Sequence, residues 1–164
     1  MAPYSFFNGV GANPPSLLFC PVNRRDGSPK DSLRNVLETK EFVVNVVSSS
    51  CAPQMNQTSA DYPPKSSEIE ALRIDTLASK LVRPPRVATS MAQFECRLLK
   101  HVELAAGPAG ANVVIGEIVM VHVDDMIIDG KTIDPQKLDN VGRLGGKAYS
   151  RTTDRFELDR PSIP

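Results

Sequence analysis

The sequence has no tryptophan, two histidines and three cysteines in 164 residues, and no excess charge of either sign, with 19 Lys plus Arg against 19 Asp plus Glu. Each shortage removes a class of function. His101 and His122 stand far from any close set of Cys, His and carboxylate, so no metal site is expected. Cys20, Cys51 and Cys96 are odd in number and widely spaced, which does not make a disulfide framework. Each is expected to be a reduced, small hydrophobe in apolar surroundings. None sits in a recognisable activating context for a Cys–His nucleophile. Zero net charge gives no long-range pull on nucleic acid or anionic lipid. Basic and aromatic residues do not interleave as a nucleic-acid platform requires. No apolar run approaches the roughly 20 residues of a membrane helix, and Met1-Ala2-Pro3-Tyr4 is not the start of a signal peptide. The expectation is a cytoplasmic protein with no nucleic-acid or membrane partner. No Gly-x-Gly-x-x-Gly or P-loop run occurs, so a pyridine nucleotide, if used, is not held by a Rossmann fingerprint.

What the chain does have is punctuation. Fourteen prolines and ten glycines divide short apolar runs, which argues for many turns. The length suits one domain burying roughly two-thirds of its unfolded surface. Tyr4 to Val10 reads as an aromatic strand running into a turn at Gly11 to Pro15, and Leu17 to Cys20 as a buried strand. After a loop with its turn at Asp26-Gly27 comes a helix. Ser28 is its expected cap, Pro29 its first residue and Asp31 the partner in a capping box, or Asp31 is itself the cap one turn later. Leu33, Val36 and Leu37 form its apolar stripe.

Phe42 to Val47 is a strand with four valines and one polar exception, Asn45. Ser48 to Pro64 is polar and proline-marked; Ser67 and Glu70 can cap a short helix; Pro84-Pro85 argues against regular structure in Leu81 to Pro85. Phe94 to His101 and Val113 to Val123 read as strands joined through Gly107 to Gly110. Asp129-Gly130 is a turn, Asp134 to Val141 a short, helix-like stretch, and Gly145-Gly146 leads into Tyr149 and a trailing edge. About five or six strands and two or three short helices, without regular βαβ spacing, favour a mainly β, antiparallel, barrel-like sheet.

Several residues have two readings. Lys30, Asp31 and Ser32 start the helix, where free N–H groups, the dipole, a cation and a hydroxyl suit a terminal phosphate; ordinary capping explains them equally. Ser5 and Asn8, in an aromatic segment, can face a planar heterocycle or simply enter a turn. Asn45, if buried, needs a partner from a ligand, a turn or a second subunit. Glu117 is either an exposed stripe position or the partner of an arginine. Arg83 and Arg86 flank Pro84-Pro85, where they can meet a substrate's phosphate or carboxylate or lie solvated on a loop. Arg24 and Arg25 read as surface residues.

Taken in order, Ala2-Pro3-Tyr4-Ser5-Phe6-Phe7-Asn8, Asn13-Pro14-Pro15, Asp26-Gly27-Ser28-Pro29-Lys30-Asp31-Ser32-Leu33-Arg34-Asn35 and Glu41-Phe42-Val43-Val44-Asn45 resemble the flavin-reductase-like family with the FMN-binding split barrel. Val82 to Val87, Glu95 to Leu98, Gly116-Glu117, His122 to Asp124 and Arg143 to Gly146 agree. The resemblance covers nearly the whole chain. It implies one domain over residues 1–164, with a split, Greek-key-like β-barrel and a few short helices. It implies a homodimer with FMN near the subunit boundary. Ser5, Phe6, Phe7 and Asn8 are then flavin-contacting strand, and Lys30, Asp31 and Ser32 the phosphate end, with serine where the family has threonine. Asn45 lies near the cofactor, and Arg83 and Arg86 belong to a substrate loop bordering the open flavin face.

The implied activity is that of an NAD(P)H:flavin reductase, with NADH or NADPH passing hydride to FMN and FMN passing electrons to an acceptor. No residue is expected to act as a catalytic acid or base, because the cofactor carries the chemistry. An FMN electron carrier, a non-catalytic split barrel without its flavin site, and related oxidase chemistry are the alternative readings. The family pattern also has a first barrel strand and part of the flavin groove ahead of the match to Ala2-Pro3-Tyr4. Here Met1 stands directly before that motif, so the expectation is an N-terminally short domain lacking that strand. The sheet edge this leaves needs a cover, which a dimer partner can provide.

Overall fold

The computed structural model describes residues 1–63 and 66–163. Pro64, the last residue of the polar stretch, lies outside them. The chain is mainly antiparallel β-structure built on one open five-stranded sheet. β1 (Phe7–Ala12) and β2 (Pro15–Phe19) form a hairpin. α1 (Asp31–Thr39) leads to β3 (Glu41–Asn45), followed by α2 (Ala52–Gln57) and α3 (Glu68–Ala71). β4 (Thr76–Leu77) and β5 (Arg86–Val87) are two-residue strands paired with each other. Two 12-residue strands, β6 (Ala92–Glu103) and β7 (Asn112–Val123), form the centre. Three short elements of the last third, β8 (Ile128–Asp129), β9 (Thr132–Ile133) and α4 (Pro135–Leu138), precede the hairpin of β10 (Val141–Arg143) and β11 (Tyr149–Arg151). The main sheet runs β1-β2-β7-β6-β3. Within it β3, β6 and β7 follow one another and β7 returns beside β2, a Greek-key order.

The core lies between this sheet and α1. Leu33 and Val36 bury the apolar stripe of α1 against Leu17, Phe19, Phe42, Cys96 and Val114, with Leu37 partly buried beside them. Gly116 has a steric reason to be glycine. A Cβ there would lie 2.7 Å from Phe42 Cε1 and closer still to Cζ.

The structure moves several expected boundaries. β1 begins at Phe7, not Tyr4, because Tyr4 turns inward and packs on Phe19 with ring centroids 4.8 Å apart. The turn expected over Gly11 to Pro15 shrinks to Asn13-Pro14. α1 starts at Asp31 with Lys30 as its cap residue and no side-chain cap. Ser28 is not the cap because its hydroxyl and N–H are both taken by Asp26, at 2.6 and 2.9 Å. Asp31 is not a cap either, since its carboxylate is paired with Arg24 and Arg34. α2 arises inside the polar stretch, whereas the Ser67 cap of α3 forms as read, accepting from the Glu70 N–H. All three cysteines are free. Cys96 is fully buried, and burial together with the Glu95 charge pushes its thiol up to about 12. Cys51 departs from the apolar expectation: it is half-buried among the Ser48 and Ser50 hydroxyls and donates to the Thr89 carbonyl.

One buried polar group organises the excursion between α3 and β6. Glu95 is 0% exposed. Its carboxylate accepts from the N–H groups of Lys80, Leu81 and Val82 at 2.7, 2.6 and 3.2 Å, and lies 2.6 Å from His122 Nε2. Burial raises its pKa, but these donors outweigh burial and pull it down to about 2. A buried carboxylate so partnered anchors three otherwise orphaned amides. His101 has a comparable structural task, bonding Asn112 at 2.9 Å while the Asn112 amide ties Pro21, Asn23 and Gly110 together.

Glu95→Ala is expected to cost about 3–5 kcal/mol, since it strands buried partners, and urea unfolding measures it. Because the folded pKa lies below the ordinary 4.5, the Glu95 contribution is complete above pH 4.5 and is lost as pH falls toward about 2. Glu95→Gln is expected to flatten the fall in stability across that window. Gly116→Ala is expected to cost about 1–3 kcal/mol by overpacking against Phe42, read in the same titration.

Candidate functional site

The start of α1 offers donors that nothing else uses. The N–H groups of Asp31, Ser32 and Leu33 have no partner within the helix, because a helix leaves its first amides free. Among the described residues the Lys30 ammonium makes no hydrogen bond, and the Ser32 hydroxyl has only the Tyr4 hydroxyl beside it. Asp31 places a carboxylate at the same end, with Arg24 at 2.6 Å on one oxygen and Arg34 on the other. Partial burial raises the Asp31 pKa, and the two guanidiniums outweigh it and hold it below the ordinary value. Two guanidiniums therefore flank one carboxylate, and with Lys30 as the cap residue the helix end stays electropositive. The contribution Asp31 can make to an anion is its backbone N–H.

Tyr4 joins this helix end to the aromatic segment. Its hydroxyl lies beside Ser32, whose side chain pulls the phenol pKa down, while burial, the larger effect, raises it. That oxygen is closed off from solvent and takes no hydrogen bond of good geometry. From Tyr4 the chain bends through Ser5 into β1. Phe6 is 70% and Phe7 43% exposed, and every residue of β1 is exposed. Phe7 and Asn8 pair with Phe19 and Leu18, and the Phe6 carbonyl accepts from the Cys20 N–H. Asn8 Oδ1 accepts from Gly9. Two neighbouring rings held in place at an open sheet edge form the kind of apolar patch that marks a binding surface. The structure thus brings Ser5, Phe6, Phe7 and Asn8 to the same region as Lys30, Asp31 and Ser32, with Tyr4 as the hinge between them.

Asn45 closes β3, and its Oδ1 accepts from the Val87 N–H at 2.8 Å. Of the three possible partners, the one present is a turn-like tie to β5. The two arginines of the expected substrate loop are also occupied. Arg86 donates to the Ala78 carbonyl and to Gln93 Oε1. Arg83 pairs with Glu41 at 3.2 Å and donates to the Thr39 carbonyl. Thr39 ends α1, so Arg83 stands roughly 13–14 Å along the helix from Lys30 at 1.5 Å per residue. Glu117 lies opposite Arg97 across β6 and β7, with no ion pair between them among the described residues.

Sequence reasoning named a second basic group only as part of the family resemblance and gave it no role in the site. Arg143 in β10 reaches Ser5 Oγ at 3.5 Å. It also lines a cleft of about 410 Å³ with Asn56, Gly146, Lys147 and Tyr149. The available signal was the Gly145-Gly146 turn with a cation on either side and an aromatic following.

A family model described as "Flavin reductase like domain" matches residues 1–134. An uncharacterised protein of Aquifex aeolicus is 39% identical over 96% of this chain and 79% of its own length. The crystal structure of nitrilotriacetate monooxygenase component B from Bacillus cereus superimposes with a TM-score of 0.89 at 34% identity, covering 96% of this chain and 78% of that one. The 2-nitrobenzoate 2-nitroreductase NbaA of Pseudomonas fluorescens gives 0.86 at 33% identity, covering 99% and 78%.

Tyr4→Phe removes an oxygen that is shut away from water without a partner. In the ligand-free protein the change is expected to leave stability unchanged or to raise it by about 1 kcal/mol, since an unsatisfied buried hydroxyl is a net cost. Thermal and urea unfolding check this.

Proposed function

The chain belongs to the flavin-reductase-like family, and on that premise we propose that it is an FMN-dependent oxidoreductase fed by reduced nicotinamide. The observation that carries this reading is the Tyr4 hinge. It sets an uncommitted anion site at the start of α1 beside an exposed aromatic segment, and FMN is an aromatic ring joined to one phosphate. The residues present fit that group. Lys30, Ser32 and the first amides of α1 would hold the phosphate. The closed-off Tyr4 hydroxyl gains a partner when an acceptor arrives, which it otherwise lacks. Phe6, Phe7, Ser5 and Asn8 supply apolar area and small polar groups for the ring. Asn45 contributes its amide Nδ2, which makes no bond among the described residues.

When bound, the flavin supplies the hydride-accepting and electron-passing chemistry. The chain binds it, orients it and limits water around it.

The exposed β1 edge supports a homodimer with the cofactor near the boundary. An unpaired strand carrying exposed Phe7 and Val10 is a site that proteins ordinarily cover. No helix among the described residues is long and apolar enough to cross a membrane.

Titration of the purified protein with FMN, followed by loss of flavin fluorescence, tests the reading. Saturable binding is expected, with bleaching of the bound flavin by NADH or NADPH. Absence of binding removes the proposal, and binding without bleaching turns it toward an electron carrier. Lys30→Ala is expected to weaken FMN by roughly 1.5–3 kcal/mol through loss of a charge-assisted contact, and an unchanged titration would take Lys30 out of the phosphate role. Light scattering is expected to show a dimer, and a stable monomer with flavin bound would contradict a shared groove.

A further inference from the structure

The β10–β11 hairpin builds a second cationic site. Arg143 and Tyr149 are direct partners across it, so the guanidinium and the phenol ring stand side by side. The connection closes through Ala148 N–H to the Gly145 carbonyl and Leu144 N–H to the Ala148 carbonyl. Gly146 turns there at φ +56, a left-handed conformation that suits glycine. This turn sets Lys147 over the same cleft, and Asn56 of α2 closes the other side. Among the described residues no carboxylate lines the cleft. Arg143 has only two contacts, both near the outer limit of a hydrogen bond, to Ser5 Oγ at 3.5 Å and the Gly146 carbonyl at 3.4 Å. Lys147 and the Tyr149 hydroxyl make none among the described residues. About 410 Å³ lies within the range of small-ligand sites.

Two features say what such a cleft takes. Unpaired Arg and Lys with no acid nearby call for an anion, and a guanidinium fork suits phosphate oxygens. An exposed ring beside them offers a stacking surface for a heterocycle. The position along the chain gives the rest. Tyr4 adjoins the anion site of α1, and the next residue, Ser5, adjoins Arg143. The cleft therefore adjoins the same stretch of chain as the flavin phosphate seat, one residue further on. FMN has one phosphate, and the start of α1 already accommodates it. A second cationic site beside the first, built from α2 and the β10–β11 hairpin and not from α1, calls for a second anionic ligand.

We propose that the cleft between α2 and the β10–β11 hairpin seats the diphosphate of the nicotinamide dinucleotide donor. Arg143 and Lys147 are its counter-charges, and Tyr149 is the surface for its adenine. This rests on the flavin-reductase reading and gives that reading its donor site. The loop arginines cannot fill the role, because Arg83 and Arg86 are already bonded within the fold.

ADP-ribose, which carries the diphosphate and adenine without the redox ring, is the direct probe. Calorimetry of ADP-ribose with the wild type, Lys147→Glu and Tyr149→Ala is done alongside FMN titration and steady-state kinetics of the flavin-loaded protein. Both positions are exposed, and unchanged thermal unfolding confirms that the variants fold. The expected result is that Lys147→Glu weakens ADP-ribose about tenfold or more, equivalent to about 1.4 kcal/mol. KM for the dinucleotide rises in parallel and FMN affinity is held within about twofold. Wild-type ADP-ribose binding is expected to weaken with added salt. Undetectable ADP-ribose binding to the wild type, or equal binding to wild type and Lys147→Glu, overturns the proposal. A loss that falls on FMN while dinucleotide KM stays constant also overturns it, because the cleft then holds the flavin's own phosphate. If the wild type takes up no FMN, the parent reading fails; the ADP-ribose titration of the same protein still reports on the cleft.

Discussion

Three aromatic rings decide where this protein can bind anything. Tyr4 packs on Phe19, Phe19 meets Phe42 edge-on at 5.3 Å, and Phe42 fills the space left by Gly116. The chain thus runs ring to ring from the centre of the sheet to the segment before β1. Without the last ring, Ser5 to Asn8 would be the loose end of an edge strand. With it, that segment is held against the start of α1, and the anion site and the aromatic surface become one region. The core and the candidate site share the same packing.

The same economy explains the fate of the charged residues. A chain with equal numbers of acids and bases can satisfy most of them internally, and here the excursion between α3 and β6 does so. Glu95 holds the amides of residues 80–82, Glu41 holds the N–H and guanidinium of Arg83, and Gln93 holds Arg86. What remains uncommitted is therefore informative. Lys30 and Arg143 are without an acidic partner among the described residues and adjoin the Tyr4–Ser5 stretch, with Lys147 beside Arg143 at the cleft.

Much of the architecture was readable beforehand because the strands are written in local chemistry. The valines of β3, the long runs of β6 and β7 and the Gly107 to Gly110 connection marked the sheet, and the Leu33–Val36 stripe marked α1. The boundaries of β1 and α1 were not readable, because they depend on distant partners. Tyr4 leaves the strand for Phe19, and Ser28 is drawn to Asp26 rather than to the helix. The site was partly visible. Lys30 and Ser32 could be named from helix physics and the Ser5 to Asn8 segment from family resemblance. Arg83 and Arg86 looked available only because nothing in a linear sequence reveals that Glu41 and Gln93 lie beneath them. Arg143, named only within the family resemblance, was given no site role for the opposite reason. Its importance comes from meeting Ser5, 138 positions earlier in the chain.

β1, exposed on both faces and unpaired along one side, ties binding to mass action. In the proposed homodimer, the copy of the chain that covers that edge and the flavin proposed to rest on Phe6 and Phe7 would act on neighbouring surfaces of one strand. Any coupling between them is reciprocal: an occupant that favours association must itself be held more tightly in the associated form. Dilution of the protein and removal of the ligand then become two routes to the same emptied state.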